Sequence, residues 1–172
     1  IWYADVDGDG YGQQSASVAA CSKPEGFVDT PGDCNDAEPS VHVGAPEQCS
    51  GMDDDCDGLI DAADPDALGQ SAWYLDADGD THGDGSQLLY DCIQPTGYVL
   101  DDTDCDDADP DNYPTNTEIC DGQDNDCDGL IDDGDPSVSG QGTWYQDADG
   151  DTYGDPSQPL DECSQPAGYI TN

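Results

Sequence analysis

The chain has almost no positive charge. Of its 172 residues only Lys23 is a lysine or arginine, against 42 aspartates and glutamates, and the formal net charge is −41. This charge argues against nucleic acids and anionic membranes as partners, because their phosphates would be repelled. It also opposes compact folding unless cations neutralise it, and such a composition is otherwise typical of disorder.

Long apolar runs and common catalytic motifs are missing as well. No stretch of about 18 apolar residues occurs, so we expect no membrane span. There is no H-E-x-x-H, no phosphate loop, and no Ser-His-Asp or Cys-His combination, so we expect a protein that is not an enzyme. The chain begins at Ile1 without an initiator methionine or a signal-peptide pattern, which is typical of a mature or excised piece of a larger protein.

What the chain has instead is a regular arrangement of cysteines and aromatic residues, which argues against disorder. A Trp-Tyr pair returns every 71 residues, and the cysteines keep the same step. This self-similarity predicts one repeat over residues 1–71, a second over 72–142 and a partial third over 143–172. The positions that recur three times include Trp2, Trp73 and Trp144, and Cys21, Cys92 and Cys163.

Two loops have the ligand spacing of an EF-hand calcium loop. Residues 53–64 and 124–135, here called the EF-like loops, have carboxylates at positions 1, 3, 5, 9 and 12 and glycine at position 6. Position 7 is a leucine, which can offer its carbonyl oxygen. This pattern predicts Ca²⁺ rather than a solvated acidic turn. The predicted ligands are Asp53, Asp55, Asp57, Leu59, Asp61 and Asp64, and Asp124, Asp126, Asp128, Leu130, Asp132 and Asp135.

A second kind of acidic loop follows each Trp-Tyr pair, at residues 5–12, 76–83 and 147–154. Counted from the first aspartate of each opening loop, position 12 falls beyond these residues, at Ala16, Gln87 or Gln158, and is not a carboxylate. The remaining ligands must therefore come from elsewhere in the fold or from water. The alternative is a glycine-rich β-turn capped by aspartates. The predicted calcium ligands are Asp5, Asp7, Asp9 and Tyr11; Asp76, Asp78, Asp80, His82 and Asp84; and Asp147, Asp149, Asp151, Tyr153 and Asp155.

A third acidic segment, the acidic knot, occurs at residues 33–39 and 104–110. A glutamate lies six residues before each EF-like loop, and we predict that it shares a third site with the knot. The alternative is solvated acid near a helix N-terminus. About two to three Ca²⁺ per repeat are then expected. The candidates are Asp33, Asp36 and Glu47, and Asp104, Asp107 and Glu118.

Proline and glycine are too frequent for much helix, and only residues 47–49 and 118–120 could form a turn or two. Residues 73–75 and 97–100 have strand composition and are separated by about 20 residues rich in turn formers. The predicted fold is mostly irregular, with short antiparallel strands and little helix. Each repeat has too few apolar residues to fold alone, so calcium and disulfides must stabilise it.

Nine cysteines predict a disulfide framework and an oxidising, extracellular setting. Pairing across the shortest loops leaves Cys163 over, and closing about 13 residues contributes roughly 3 kcal/mol. A register shifted by one cysteine would leave out Cys21 and join neighbouring repeats. A zinc–thiolate site is disfavoured, because paired C-x-x-C spacing is missing and histidine is scarce. The favoured pairs are Cys21–Cys34, Cys49–Cys56, Cys92–Cys105 and Cys120–Cys127.

The acidic knot and the EF-like loop carry a resemblance to a known family. Asp104-Cys105-Asp106-Asp107, followed by residues 118–129, resembles the metal-binding motif repeat of large secreted bacterial surface proteins named after the MopE copper-binding proteins. The likeness covers essentially the whole repeat, and in style it extends to thrombospondin type 3 repeats. The copper of the namesake does not carry over, because copper prefers imidazole or soft sulfur. Only His42 and His82 are present, and their equivalents one repeat away are tyrosines, which we interpret as surface substitutions.

These patterns predict a structural, extracellular, calcium-binding protein that forms a rigid fibre, stalk or filament. Its expected partners are calcium and neighbouring repeats or identical protomers. The alternative is a calcium-dependent adhesion module that binds a glycan or a protein within a larger surface protein, with the repeated Trp and Tyr as a stacking platform.

Overall fold

The computed structural model describes residues 1–171, which form two compact units. Unit 1 comprises Ile1–Trp73 and Leu89–Pro95. Unit 2 comprises Tyr74–Leu88 and the chain from Thr96 onward. Strands and irregular loops make up nearly all of both units, as the scarcity of helix-forming segments predicted.

Unit 1 begins with a small mixed sheet. Strand β1 (Trp2–Ala4) lies between β3 (Phe27–Val28) and β2 (Gly12–Val18), and β4 (Pro31–Asp33) lies outside β2. The pairs β1–β2 and β1–β3 are antiparallel, whereas β2–β4 is parallel. The sheet fixes the two ends of the first opening loop, which joins β1 to β2.

Two three-stranded sheets of similar form follow. The first has the order β6 (Asp84–Asp91), β5 (Ser71–Leu75) and β7 (Tyr98–Val99). The second lies in unit 2 and has the order β10 (Tyr169–Ile170), β8 (Gly142–Gln146) and β9 (Pro159–Glu162). In both sheets the first strand in the chain is central and leads into an opening loop.

The short antiparallel strands predicted at residues 73–75 and 97–100 are confirmed, since Tyr74 pairs with Val99 and Leu75 with Tyr98. Strand β6 was missed, because the glycines near it indicated turns although its Leu-Leu-Tyr segment favours a strand. The predicted helical turns are wrong. Gln48 and Ile119 form isolated parallel bridges instead, and the 3₁₀ turns lie at Asp61–Ala63 and Asp132–Gly134.

The interior is acidic rather than apolar. Among the described residues, the buried hydrophobic side chains are Val28, Val41 and Ala45. A folded chain normally buries carboxylates only when they are paired or hydrogen-bonded. The buried polar side chains are more numerous than the apolar ones: Asp33, Glu47, Asp54, Asp64, Asn112, Glu118, Asn125 and Asp135.

Four disulfides join cysteines of the described chain, and the favoured short-loop pairing is wrong. Two bonds close 22 residues and two close 43 residues. Loop entropy differs by only about 0.5 kcal/mol between closures of 13 and 22 residues, so packing decides the partner. Cys21 is free and exposed, as in the shifted register, although the pairs differ from that register too. The bonds are Cys34–Cys56, Cys49–Cys92, Cys105–Cys127 and Cys120–Cys163.

Within residues 1–171 no helix has the length and apolar character needed to cross a membrane.

Candidate metal centre

Aspartate side chains shape the opening loops by accepting hydrogen bonds from nearby backbone amides. In the first loop, Asp5 Oδ1 accepts the Gly8 N–H at 2.8 Å and Asp9 Oδ1 accepts the Tyr11 N–H at 2.7 Å. Such turns fold a short acidic segment without apolar packing. The same contacts join Asp76 to Gly79 and Asp80 to His82, and Asp147 to Gly150 and Asp151 to Tyr153.

The acidic knots lie against the first two opening loops. Asp36 Oδ1 accepts the Val6 N–H at 2.6 Å, and Asp107 Oδ1 accepts the Ala77 N–H at 2.7 Å. Each contact spans 30 residues of sequence. The knot therefore supplies carboxylates to a loop that lacks its own position-12 ligand.

In the first opening loop these contacts gather five carboxylates into two overlapping groups. Within each group the candidate ligand atoms all lie within 4.8 Å of one another, a spacing at which one cation can contact all three. In the second opening loop Asp76, Asp78 and Asp80 form such a group. The two groups of the first loop are Asp5, Asp7 and Asp36, and Asp7, Asp9 and Asp33.

Many of these carboxylates have one oxygen bonded and the other buried without a partner. Asp33 is only 5% exposed; its Oδ1 accepts the Asn35 N–H at 2.7 Å, while its Oδ2 has no hydrogen-bond partner. A buried, unpaired carboxylate oxygen is costly unless a cation or a donor meets it. Within residues 1–171 the same condition holds for nine oxygens, on Asp7, Asp9, Asp33, Asp64, Asp78, Asp80, Asp104, Asp126 and Asp135.

The electrostatics of the clusters reflect this burial. Burial raises the pKa of Asp33, and repulsion from Asp36, Asp7 and Asp9 adds to the effect, which the hydrogen bond from the Asn35 amide partly offsets. The pKa of Asp104 is raised mainly by burial too, with repulsion from carboxylates of the second opening loop. A positive ion in either cluster would reverse these shifts, because it stabilises the ionised form.

The EF-like loops have the turn that their sequence predicted. Asp53 accepts the Asp57 N–H at 3.1 Å and the Gly58 N–H at 3.0 Å, one with each oxygen. Gly58 has a φ of 98° and Gly129 a φ of 89°, in the left-handed region that favours glycine. Asp124 makes the matching bonds to Asp128 and Gly129. The first residue of each loop therefore holds the central turn in place.

Glu47 and Glu118 are buried at the base of these loops, 2% and 1% exposed. Glu118 Oε2 accepts the Asn125 N–H and its Oε1 accepts the Asp132 N–H, both at 2.8 Å. Glu47 makes the matching bonds to Asp54 and Asp61. Glu47 is grouped with Asp53 and Asp55. The glutamates thus belong to the EF-like loops, whereas the predicted third site paired them with the knots.

The last position of each EF-like loop is also buried. Asp64 is 2% and Asp135 is 3% exposed, and each has an unpaired Oδ2. Asp64 is grouped with Asp55 and Asp57. Burial and then repulsion from Asp128 and Asp135 raise the pKa of Asp126. The aspartates at positions 5 and 9 of each loop accept hydrogen bonds from backbone amides. Asp57 accepts the Leu59 N–H and Asp61 accepts the Gly51 N–H. In the second loop Asp128 accepts the Leu130 N–H and Asp132 accepts the Gly122 N–H.

Some predicted ligands have other partners. Asp84 Oδ1 accepts the Ser86 N–H and its Oδ2 accepts the Gln87 side-chain N–H. The Ser86 side chain, the Ser86 amide and the Gln87 side chain, in that order, lower the pKa of Asp84 by hydrogen bonding. Asp155 is bonded in the same way to Ser157 and Gln158. In the third opening loop Asp149 and Asp151 are exposed. These carboxylates are either hydrogen-bonded within their own turns or exposed to solvent. By contrast, Asp78 and Asp80, which correspond to Asp149 and Asp151, each have a buried, unpaired oxygen.

The two histidines are not surface substitutions. The ring of His42 stacks on Tyr11 with centroids 4.3 Å apart, and that of His82 stacks on Tyr113 at 5.2 Å. In each case one ring belongs to an opening loop and the other to the segment after the knot. Histidine and tyrosine exchange places between the two pairs. Sequence reasoning missed this contact, although the reciprocal exchange of residue types was visible.

The donor set determines which metals fit. The clusters described above contain only carboxylate oxygens, which suit hard cations such as Ca²⁺, Mg²⁺ or Mn²⁺. A copper site would need imidazole or sulfur donors. Both histidine rings stack on tyrosines, and the eight bonded cysteines hold disulfides. The residues of these clusters therefore do not fit copper.

Together, the sheets, disulfides and carboxylate clusters define small, disulfide-bonded units with metal-binding loops. The disulfides and the motif suggest an extracellular or secreted protein. The family model Cu-binding_MopE, described as "putative metal-binding motif", matches residues 33–62 and 104–139. The match confirms the predicted resemblance, and its segments include both knots, residues 53–62 of the first EF-like loop and all of the second. No curated protein and no solved structure matches the chain.

Proposed function

We propose that this chain is a structural segment of a secreted protein whose acidic loops bind Ca²⁺. The proposal includes two full 71-residue repeats, over residues 1–71 and 72–142, and part of a third over 143–172. The observation that carries it is the set of nine buried carboxylate oxygens without a partner among the described residues. A cation is the simplest group that satisfies several such oxygens at once.

Calcium is favoured over other hard cations by the shape of the sites. Ca²⁺ accepts six to eight oxygens in flexible geometry, whereas Mg²⁺ requires a near-ideal octahedron and keeps several of its waters. The clusters combine side chains from different segments, and several of their oxygens are buried away from water. This arrangement suits an ion that takes many protein ligands at slightly different distances.

A structural role is favoured by the acidic interior. Three buried apolar side chains in residues 1–171 cannot offset the entropy of ordering the chain. Each ion adds stability by mass action, about 2.7 kcal/mol when calcium is at 100 times its dissociation constant. The proposal is therefore that calcium is part of the folded state and that the role is not enzymatic.

A fibre, stalk or filament is favoured by the ordered joins between the proposed repeats. The Leu68 N–H donates to the Glu47 carbonyl at 2.9 Å, and the Ser139 N–H donates to the Glu118 carbonyl at 2.8 Å. Cys49–Cys92 and Cys120–Cys163 link positions on opposite sides of the proposed boundaries. A join with these hydrogen bonds and disulfides should be stiff rather than flexible. Stiff joins suit repeats stacked in a fibre, so the proposed partners are neighbouring repeats or identical protomers.

The alternative role, adhesion to a glycan or a protein, has less support. The indole N–H groups of Trp2, Trp73 and Trp144 each donate to a backbone carbonyl, at 3.1, 3.1 and 3.0 Å. The rings are half-buried, as expected for part of a small core. A stacking platform would leave the aromatic faces open in every repeat.

Calcium removal tests the proposal. We expect the oxidised, metal-free chain to lose its near-UV circular dichroism and its resistance to protease, and to regain both on addition of Ca²⁺. Mg²⁺ should restore less, and Cu²⁺ should not substitute. An unchanged near-UV spectrum after exhaustive metal removal would contradict a structural role for the ion, and recovery with copper alone would contradict the choice of calcium.

A multi-repeat version of the chain tests the fibre. Small-angle scattering in saturating calcium should give the length and cross-section of a stiff rod, and lowering free calcium should loosen the joins first. Scattering of a flexible chain in saturating calcium would rule out the rod while leaving calcium binding intact.

A further inference from the structure

Two aspartates belong to two ligand groups at once. Asp7 lies within 4.8 Å, ligand atom to ligand atom, of Asp5 and Asp36 in one group and of Asp9 and Asp33 in the other. Asp55 has the same position in an EF-like loop, between a group with Glu47 and Asp53 and a group with Asp57 and Asp64. A simple one-ion loop does not require a carboxylate that is shared in this way.

Each shared aspartate and its four neighbours form a set of five carboxylates. The group whose buried member has an unpaired oxygen is here called the inner group, and it contains Asp33 in the opening loop and Asp64 in the EF-like loop. Asp33 and Asp64 are 5% and 2% exposed, and each has one oxygen bonded to a backbone amide and the other unpaired. The Oδ2 atoms of Asp7 and Asp9 are buried and unpaired as well. Asp7 Oδ1 accepts the Asp9 N–H and Asp9 Oδ1 accepts the Tyr11 N–H. Because the bonded oxygens hold these side chains in place, the Oδ2 atoms of Asp7, Asp9 and Asp33 are available to one cation.

The other group of the first opening loop, here called the outer group, consists of Asp5, Asp7 and Asp36, and the knot contributes Asp36 to it. Asp36 Oδ1 accepts the Val6 N–H at 2.6 Å, and Asp5 Oδ1 accepts the Gly8 N–H at 2.8 Å. These bonds hold the side chains of Asp5 and Asp36, whose ligand atoms lie within 4.8 Å of that of Asp7. The outer group therefore has its own pair of positioned carboxylates, separate from the pair in the inner group.

Charge decides between one ion and two. Five ionised carboxylates carry five negative charges, and a single divalent ion would leave three of them uncompensated in a half-buried cluster. Two divalent ions leave only one. Carboxylates that share a site repel one another strongly at short distance, so the second ion removes a large unfavourable energy. The five carboxylates around Asp7 therefore favour two ions.

We propose that Asp7 bridges two Ca²⁺ ions, with Asp5 and Asp36 on one side and Asp9 and Asp33 on the other. The inference rests on the proposed calcium binding and adds its arrangement. The two oxygens of one carboxylate can contact different ions, as in two-metal sites whose ions lie about 3.5–4 Å apart. The first ion would hold the bridging side chain in place for the second.

Native mass spectrometry in calcium tests the pairing at the first opening loop. Asp7→Ala should lose two ions, whereas Asp5→Ala and Asp33→Ala should each lose one. Asp29→Ala, at an exposed position outside both groups, is the matched control and should lose none. Loss of a single ion by Asp7→Ala, equal to its neighbours, would overturn the bridge. Wild-type protein that binds no calcium would overturn the proposed function instead.

If Asp7→Ala fails to fold, as shown by loss of its near-UV signal, the wild-type protein decides. Crystals soaked with Tb³⁺ should show two anomalous peaks within about 4 Å of each other, one on each side of Asp7. A single peak at this cluster, with other clusters occupied, would overturn the paired site while preserving metal binding.

Discussion

The second and third opening loops have the same backbone design but different surroundings. In the second loop Asp78 and Asp80 are half-buried, and each has a buried, unpaired Oδ2. In the third loop Asp149 and Asp151 are exposed. His82 stacks on Tyr113, whereas Tyr153, at the same loop position, is 77% exposed. The second loop is followed by an acidic knot, and no knot follows the third within the 172 residues.

This comparison shows what the knot adds. Alternating aspartates are sufficient to form the turn, because both loops keep their side-chain to backbone bonds. They are not sufficient to bury the carboxylate oxygens. The knot reaches the second loop through the bond from the Ala77 N–H to Asp107, and His82 stacks on Tyr113, so we interpret the opening loop and the knot as a single composite site.

Removal of the knot carboxylates should have the largest effect. Asp104→Ala combined with Asp107→Ala should weaken calcium binding at the second opening loop by roughly tenfold or more, because ligand number and charge set affinity. Calorimetric titration would measure the loss. Asp149→Ala combined with Asp151→Ala in the third loop is the control and should change the total binding much less. Equal losses would contradict the composite site.

A smaller contrast is expected within the EF-like loop. Asp128→Ala should weaken calcium binding more than Asp121→Ala, because Asp128 occupies a predicted ligand position next to Gly129. Asp121 lies outside the loop, and its Oδ1 accepts the Gln123 N–H at 2.9 Å. Equal calcium affinities for the two variants would contradict the assignment of Asp128 as a calcium ligand of the EF-like loop.

The aromatic stack should contribute less than the ligands. Tyr113→Ala should expose His82 and make the second loop resemble the third. Stacked rings contribute about 0.5–1.5 kcal/mol beyond their buried area, so thermal unfolding in calcium should shift by a corresponding amount. Tyr153→Ala, which removes an unstacked ring, should have almost no effect. Identical shifts would show that the stack does not stabilise the site.

The smallest effect concerns the pH dependence of calcium binding. Burial and repulsion raise the pKa of Asp104 above its ordinary value of 3.8. Because a carboxylate must lose its proton to bind a metal ion, protons compete with calcium at Asp104 at a higher pH than at an ordinary aspartate. Lowering the pH from 7 to 4 should therefore weaken calcium binding less in Asp104→Asn than in wild type. If the two proteins respond to pH in the same way, the raised pKa of Asp104 is contradicted.

The sequence predicted the local turns better than their assembly. The spacing of Asp53, Asp57 and Gly58 encodes a turn through bonds between near neighbours, so the EF-like loops could be recognised directly. The contact between Asp36 and Val6 spans 30 residues and depends on the hairpin between them. The opening loop gave one hint of it, since its ligand set was incomplete.

The disulfides were missed for a related reason. Nearest-neighbour pairing uses only loop length, and loop length discriminates weakly between candidate partners. The observed pairs require Cys34 to lie beside the EF-like loop, where its Sγ is 3.4 Å from the Asp53 carbonyl oxygen. That contact spans 19 residues of sequence, and no local signal predicts it.

Hydrogen exchange with and without calcium tests the account most directly. We predict that calcium slows amide exchange strongly in residues 76–83 and 104–110 together, because one composite site holds both segments. Residues 147–154 should gain much less protection under the same conditions. Protection of 76–83 without 104–110, or equal protection of the second and third opening loops, would contradict the claim that buried carboxylates of loop and knot jointly hold a cation.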